Sequence, residues 1–253
     1  MKKTIIYAIA GLLLTCGLLS CEKNLPTPPV SSSLTIVNAI PGAGALVCNL
    51  NYNTQLQWYK TAQQIPAYTS ATPFYEFSGY IGDIPLSVSQ FTDTTHTVFK
   101  GLIHIDAGST HSLFLTGTLT TPDSVYTTDK VSNITDSLVN VRFINLSTGS
   151  SPINIDVLTS GVVGAPIVSN LAYKAQSAFI PFTVTKATPA SGSYALEFRD
   201  AGTNKVLVTY TFNQLLPNGS TGGRIFKSVT VGFKGVPGGT GANAQGVLVE
   251  NNF

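Results

Sequence analysis

The chain has 253 residues, of which 43% are hydrophobic and 10% are charged, and its formal net charge at pH 7 is +2. This hydrophobic share excludes a disordered chain, because enough apolar surface is present to offset the entropy lost on folding. Neither basic nor acidic residues form a run, so the sequence gives no clustered cationic face and we expect no nucleic-acid partner.

The first predicted element is a signal peptide at residues 1–20. Lys2 and Lys3 precede an uninterrupted apolar stretch that is shorter than a membrane span. Residues 18–21, Leu-Leu-Ser-Cys, resemble the lipobox of bacterial lipoproteins, in which the cysteine thiol receives a lipid. The resemblance implies acylation at Cys21, for example with palmitate, and cleavage before it. A plain secretory signal is the alternative.

A lipid on Cys21 predicts an extracytoplasmic protein held to a membrane by its acyl chains. Glu22 occupies the position at which Asp is the familiar inner-membrane retention signal, so the outer membrane is favoured, and the leaflet stays open. The next segment is rich in proline and serine, and residues 21–33 are predicted to be an extended tether.

The rest of the chain contains two blocks with one shared pattern. Leu34–Asn38 and Val141–Asn145 have apolar residues at the same positions, and the same offset aligns Asn49 with Asp156. A period near one hundred residues is typical of tandem domains, here 34–131 and 138–253 with a linker at 132–137. Further matches in the same order are Ser112–Leu115 with Ser228–Val231 and Val125–Thr127 with Val247–Val249.

Strand periodicity dominates both blocks. Tyr194, Leu196 and Phe198 alternate with small or charged residues, and a turn sequence then leads to a second alternating run at 206–212. Outside the signal peptide, helical spacing is suggested only at 55–64. Short strands separated by frequent turns predict an all-β chain of two tandem antiparallel β-sandwich domains, immunoglobulin-like or prealbumin-like.

Several segments resemble a known bacterial family, domain-of-unknown-function family 4397. The resemblance is stronger in the second block, at Val141–Asn145, Ile153–Val157, Ser191–Tyr194 and Phe226–Gly232, and looser in the first. It implies an extracytoplasmic tandem-domain lipoprotein of Bacteroidota type. The family has no established catalytic residues, so the resemblance implies no enzymatic activity and no cofactor.

Cys48 has two interpretations. Once Cys21 is lipidated and Cys16 is removed with the signal peptide, Cys48 has no disulfide partner and could be a nucleophile. Its equivalent in the second block is the apolar Ile155, which favours a small core residue instead.

The histidines raise the alternative of a metal-dependent enzyme. His104 and Asp106 share one face of a predicted strand, and His111 follows a turn, so the three could converge. This spacing is common on β-structure and has no counterpart in the second block. We therefore assign no metal ligand and expect strand and turn residues near solvent.

Aromatic residues concentrate in the first block and raise the possibility of a glycan-stacking surface. Trp58, Tyr59 and Tyr75 are the first candidates, because exposed rings beside amide side chains stack on sugars in many β-sandwiches. Strand alternation would instead place part of each aromatic pair in the core.

Three triplets suggest O-glycosylation. Thr94, Ser124 and Ser137 each follow an aspartate in a triplet similar to the periplasmic sequon of Bacteroidota, and the last two are expected in loop or linker sequence.

Together these observations predict a non-catalytic cell-envelope lipoprotein that acts as a binding or structural module, with the membrane and an envelope protein or glycan as partners. One alternative is a glycan-binding lipoprotein of a nutrient-uptake or adhesion system. The other is an enzyme with a metal site in the first block.

Overall fold

The computed structural model describes residues 31–58, 62–131, 134–159, 162–183, 194–213 and 224–252. The predicted signal peptide, Cys21 and Tyr59 lie outside the described residues. Apart from a 3₁₀ turn at Gly241–Asn243, every regular element in the described part is a β-strand, so the predicted all-β class is confirmed. In that same part of the chain, no helix has the length and apolarity needed to cross a membrane.

The first block forms a β-sandwich of two four-stranded sheets. Sheet A has the order β4-β1-β7-β8 and sheet B the order β3-β2-β5-β6. Their inner faces enclose a core that includes Leu34, Cys48, Leu86 and Leu113. The strands are β1 (Ser33–Asn38), β2 (Leu46–Asn49), β3 (Gln63–Ile65), β4 (Phe74–Ser78), β5 (Gly82–Gln90), β6 (Thr97–Ile105), β7 (Thr110–Gly117) and β8 (Pro122–Asp129).

The second block repeats this arrangement. Sheet C has the order β13-β9-β16-β17, and sheet D has the order β11-β10-β14-β15 with β12 also pairing with β10. Five buried phenylalanines dominate its core: Phe143, Phe182, Phe198, Phe212 and Phe233. The strands are β9 (Leu138–Ser147), β10 (Ile153–Thr159), β11 (Val162–Val163), β12 (Val168–Leu171), β13 (Ile180–Thr183), β14 (Tyr194–Asp200), β15 (Val206–Phe212), β16 (Ser228–Gly235) and β17 (Gly246–Asn251).

The ladders are not all antiparallel, which corrects the prediction. β1 runs parallel to β7, and β9 runs parallel to β16. Long connections through the other sheet separate the two strands of each pair, and such connections allow parallel pairing. The first strand of the first block, β1, pairs with β4, and the first strand of the second block, β9, pairs with β13. Neither pairs with the strand that follows it in sequence, so the order differs from the immunoglobulin order A-B-E-D.

Sheets A and C pack against each other through their outer faces. A third apolar cluster joins Val37, Ala39 and Phe114 of the first block to Ile144, Leu146 and Leu248 of the second. The strands at the centre of these sheets are therefore buried on both faces. Residues 31–253 form one compact unit, so the division into domains at 34–131 and 138–253 stays a prediction.

Charged residues also lie in the contact between sheets A and C. Arg142 and Asp129 form an ion pair of 2.6 Å with side chains 4% and 0% exposed. Arg142 Nη2 also donates a hydrogen bond of 2.8 Å to Thr230 Oγ1. Because the pair is removed from water, each charge depends on the other for compensation.

A second carboxyl group, that of Glu250, is buried beside this pair. Burial and the nearby Asp129 raise the pKa of Glu250 to about 8. Ser112 Oγ lies 2.8 Å from Glu250 Oε1 and also contacts Asp129 Oδ2. The Ser112 hydroxyl has one hydrogen and cannot donate to both carboxyl groups, whereas a protonated Glu250 supplies the second hydrogen. The geometry and the raised pKa both indicate a neutral Glu250 near pH 7.

The helix suggested at 55–64 is not found in the described residues of that stretch. Residues 55–58 contain no regular element beyond a turn, and β3 begins at Gln63. This segment is part of the loop between β2 and β3, which forms one side of the cleft described next.

Candidate binding cleft

A cleft of about 330 Å³ lies on the outer face of sheet B, beside the loop that follows β2. Its volume is at the lower end of the range of ligand pockets. Along β2, Leu46 and Cys48 point into the core, whereas Val47 and Asn49 point to the cleft. The residues that line it are Val47, Asn49, Tyr52, Gln55, Leu56, Trp58, Ser87, Ser89, Thr94, Thr97 and Lys100.

The floor of the cleft is made of short side chains. On β2 and β5, Val47 pairs with Ser89 and Asn49 pairs with Ser87. On the next strand, β6, Lys100 stands opposite Ser87. Because serine and asparagine are short, the floor leaves space between the sheet and the loop that a ligand can enter.

Hydrogen bonds hold the loop in place. Asn49 Nδ2 donates to the Thr54 carbonyl at 3.1 Å, and the Asn51 amide donates to Asn49 Oδ1 at 3.1 Å. Further along, the Tyr52 amide donates to the Pro85 carbonyl at 2.8 Å. The loop is thus tied to β2 and β5, and one wall of the cleft is formed before any ligand arrives.

Aromatic side chains form the upper part of the cleft. Trp58 is 50% exposed and packs edge-to-face on Phe91, with ring centroids 5.2 Å apart. The Tyr52 ring lies 4.9 Å from the Lys100 ammonium group, within the range of a cation–π contact. Sequence reasoning identified Trp58 but missed Tyr52 and Lys100.

Tyr75, another predicted stacking residue, lies elsewhere. It is exposed on β4 of sheet A and contacts Phe77 with ring centroids 4.9 Å apart. The chain passes from sheet B to sheet A between β3 and β4, so Trp58 and Tyr75 are on different sheets. The structure therefore does not bring Trp58 and Tyr75 into one platform, and Tyr59 lies outside the described residues.

Hydrogen-bonding groups in the cleft are available to a ligand. Within the described part of the chain, the Ser87 and Thr94 hydroxyls and the Gln55 amide make no hydrogen bond to another side chain or to the backbone. Ser89 and Thr97 are bonded to each other at 3.2 Å. The cleft thus combines an exposed ring with several free polar groups, the usual lining of a small-molecule site.

The equivalent face of the second block carries ion pairs instead. Asn154 pairs with Arg199 and Asp156 with Glu197, at the register positions of Val47–Ser89 and Asn49–Ser87. Arg199 Nε lies 3.0 Å from Asp156 Oδ2, and Arg199 also contacts Glu197. Burial raises the pKa of Asp156, while the charge of Arg199 opposes that shift. The ion-paired side chains of Arg199 and Glu197 therefore occupy the positions at which the first block has the short side chains of serine.

The histidines of the first block do not converge on one point. His104 Nδ1 lies 2.6 Å from Asp83 Oδ1, and its other ring nitrogen is 3.4 Å from Asp106 Oδ1. His111 is buried and stacks on Tyr126 with centroids 5.2 Å apart. Among the residues that the structure describes, no group of three or more His, Cys, Asp or Glu side chains is placed to hold a metal ion. The structure therefore does not bring His104, Asp106 and His111 together as joint metal ligands.

Cys48 is a core residue, as the block comparison predicts. Its side chain is fully buried within the first core, and burial raises the pKa of the thiol. The equivalent Ile155 is also fully buried.

The predicted O-glycosylation sites have different environments. Thr94 is exposed in a turn, and Ser137 is exposed in a bend before β9. Ser124 lies within β8, paired with Leu115, so its predicted loop position is wrong. The strand continues through Ser124 because β8 pairs with β7 along its whole length, from Pro122 to Asp129. Modification at all three positions stays a prediction.

The fold and the cleft define a class, a β-sandwich protein with an open cleft on one sheet face. Residues 32–156 match the family described as "Domain of unknown function (DUF4397)", so the predicted family is confirmed for this part of the chain. The matched residues span the first block and the opening of the second. The sequence analysis, in contrast, finds the stronger resemblance to this family in the second block.

Solved structures provide a further comparison. The chain is similar to the crystal structure of CBMbc (family CBM26) from Eubacterium rectale Amy13K in complex with maltoheptaose, with 9% identity and a TM-score of 0.27. The similarity covers 88% of this chain and 97% of that one. The comparison with curated proteins gives no match.

Proposed function

We propose that this protein is a non-catalytic binding module that holds a saccharide in the cleft of the first block. The observation that carries the proposal is the half-exposed Trp58 ring at the edge of a floor of free polar side chains. Sugars present both a patch of C–H groups and a ring of hydroxyls. The exposed indole contacts the C–H groups, and the Ser87 hydroxyl and the Gln55 side-chain amide bind the sugar hydroxyls.

The described lining supports binding in preference to chemistry. It consists of hydroxyls, amides, aromatic rings, two aliphatic side chains and one lysine. The wall formed by Asn49 and its loop is held in place by hydrogen bonds, so little ordering is needed when a ligand enters. A preformed, polar, aromatic-edged cleft is typical of a binding site.

The proposal places the module on the cell envelope. A lipid on Cys21 and the tether at 21–33 would carry two tandem, prealbumin-like sandwiches outside the cytoplasm, on the outer membrane. The lipobox-like residues 18–21 support this placement. In this setting the cleft would serve nutrient uptake or adhesion.

Truncating the indole tests the saccharide site. Trp58→Ala is expected to weaken binding to the best ligand on a glycan array by at least tenfold, about 1.4 kcal/mol, because the stacking surface is lost. The array measurement uses the full-length chain with an affinity label. Phe226→Ala is the matched control, since Phe226 is 49% exposed and belongs to the second block. Unchanged binding by Trp58→Ala, or a wild type that binds no glycan, would contradict the proposal.

Replacing the predicted lipid acceptor tests the anchor. Cys21→Ser is expected to move the protein from the detergent phase to the aqueous phase in a phase-partition assay, because no other acyl attachment is predicted. Intact-mass measurement of the wild type should give a mass larger than that of the polypeptide from residue 21 onward. A wild type without added mass would overturn the lipoprotein assignment.

A further inference from the structure

We infer that the saccharide held in the cleft is acidic, of the uronic-acid type, and that Lys100 is the residue that selects its negative charge. This inference rests on the proposed function and narrows its ligand class. It comes from the position of one cation in a cleft whose other described lining residues are uncharged.

Lys100 is held at the cleft without a carboxylate partner. Its ammonium group lies 4.9 Å from the centre of the Tyr52 ring, and its cross-strand neighbour is the uncharged Ser87. Among the described residues, no aspartate or glutamate lies within ion-pair distance of Lys100, and the other described lining residues are uncharged. The Tyr52 ring positions the ammonium group but does not neutralise it.

The second block provides an internal comparison. At the register positions of Ser87 and Lys100 it has Glu197 and Thr209. Its own cation on this face, Arg199, is paired with both Asp156 and Glu197. The same sheet face therefore carries a neutralised cation in one block and a free cation beside an open cleft in the other. A carboxylate on the ligand would complete in the first block the ion pairing that the second block makes internally.

The neighbouring groups suit a carboxylate. The Ser87 hydroxyl is directly across from Lys100 and is free to donate a hydrogen bond. A carboxylate that accepts from both a hydroxyl and an ammonium group makes charge-assisted bonds, which are stronger than neutral ones. The half-exposed Trp58 then contacts the face of the sugar ring.

A pair of ligands that differ only in charge tests the inference. Trigalacturonic acid and its methyl ester are titrated by calorimetry into the full-length protein. The wild type is expected to bind the acid at least tenfold more tightly than the ester, and this preference should shrink as salt rises because the contact lies near solvent. Lys100→Met is expected to bind acid and ester equally, whereas Lys100→Arg should keep the preference.

Lys205→Met is the matched control, an exposed lysine on the second block, and it should behave as the wild type. A wild type that binds the ester as tightly as the acid, or a Lys100→Met variant that keeps the preference, would overturn the inference while leaving saccharide binding intact. Failure of the wild type to bind any glycan on the array would instead overturn the proposed function, and with it the inference.

Discussion

Replacing Arg142 by methionine is expected to lower the free energy of unfolding by about 3–5 kcal/mol, because Asp129 is left as a buried charge without a countercharge. Asp129 is fully buried and contacts Arg142 at 2.6 Å. The methionine keeps much of the side-chain volume, so the loss reports the charge more than the packing. Urea denaturation at pH 7 measures the effect.

A double variant separates the charge from other causes. Arg142→Met with Asp129→Asn should recover most of the lost stability, because the double variant leaves neither member of this buried ion pair charged. Arg142→Met alone with a loss below about 1 kcal/mol would mean that the pair is solvated, as surface pairs are, and would contradict the packing of the two blocks.

The second large effect is a dependence of stability on pH that comes from Glu250. Its pKa is raised to about 8 in the folded protein, against about 4.5 for an ordinary glutamate. Between these values the folded state holds a proton that the unfolded state has released. Stability from this group is therefore fully present below about pH 4.5 and falls as pH rises toward 8, by up to about 1.4 kcal/mol per pH unit.

Glu250→Gln should remove this pH slope, since glutamine resembles the protonated carboxyl at every pH. Asp129 and Arg142 are the charged groups that face Glu250, with Ser112 and Asn252 beside them. Urea denaturation at pH 5, 6, 7 and 8 compares the variant with wild type and with Asp136→Asn, an exposed control. If the stability of the wild type rises from pH 5 to 8 in the same way as that of Glu250→Gln, the result contradicts a buried, neutral Glu250.

Sequence alone predicts the sandwich repeat well. The matches of Ser112–Leu115 with Ser228–Val231 and of Val125–Thr127 with Val247–Val249 correspond to β7 with β16 and β8 with β17. The alternating run that begins at Tyr194 and the run at 206–212, predicted to be joined by a turn, are found as the paired strands β14 and β15. These features depend on local alternation and turns, which are encoded within short segments.

The contact between the blocks could not be predicted in this way. Ser112, Arg142, Thr230 and Glu250 alternate with core residues and have the composition of a solvent face. Their burial depends on the packing of sheet A against sheet C, which brings together residues as distant in sequence as Ser112 and Glu250. Local periodicity identifies the two faces of a strand but not what covers each one.

The candidate site could be predicted only in part, for a similar reason. Trp58 was identified by residue type, whereas Tyr52 and Lys100 become cleft residues only when the loop after β2 folds over β6. Tyr75 was included because aromatic residues concentrate in the first block, but β4 belongs to the other sheet. The comparison of Cys48 with Ile155 succeeded because core positions are shared by both blocks.

The most direct test of saccharide binding in the cleft uses the chain's one tryptophan, Trp58, as a fluorescent reporter. The full-length protein is titrated with the glycan that gives the strongest array signal, and emission and acrylamide quenching are recorded. A ligand stacked on the indole should shift the emission and protect Trp58 from the quencher, with the same affinity as calorimetry gives. Calorimetric binding that leaves both the emission and the quenching of Trp58 unchanged would place the saccharide elsewhere and contradict the account.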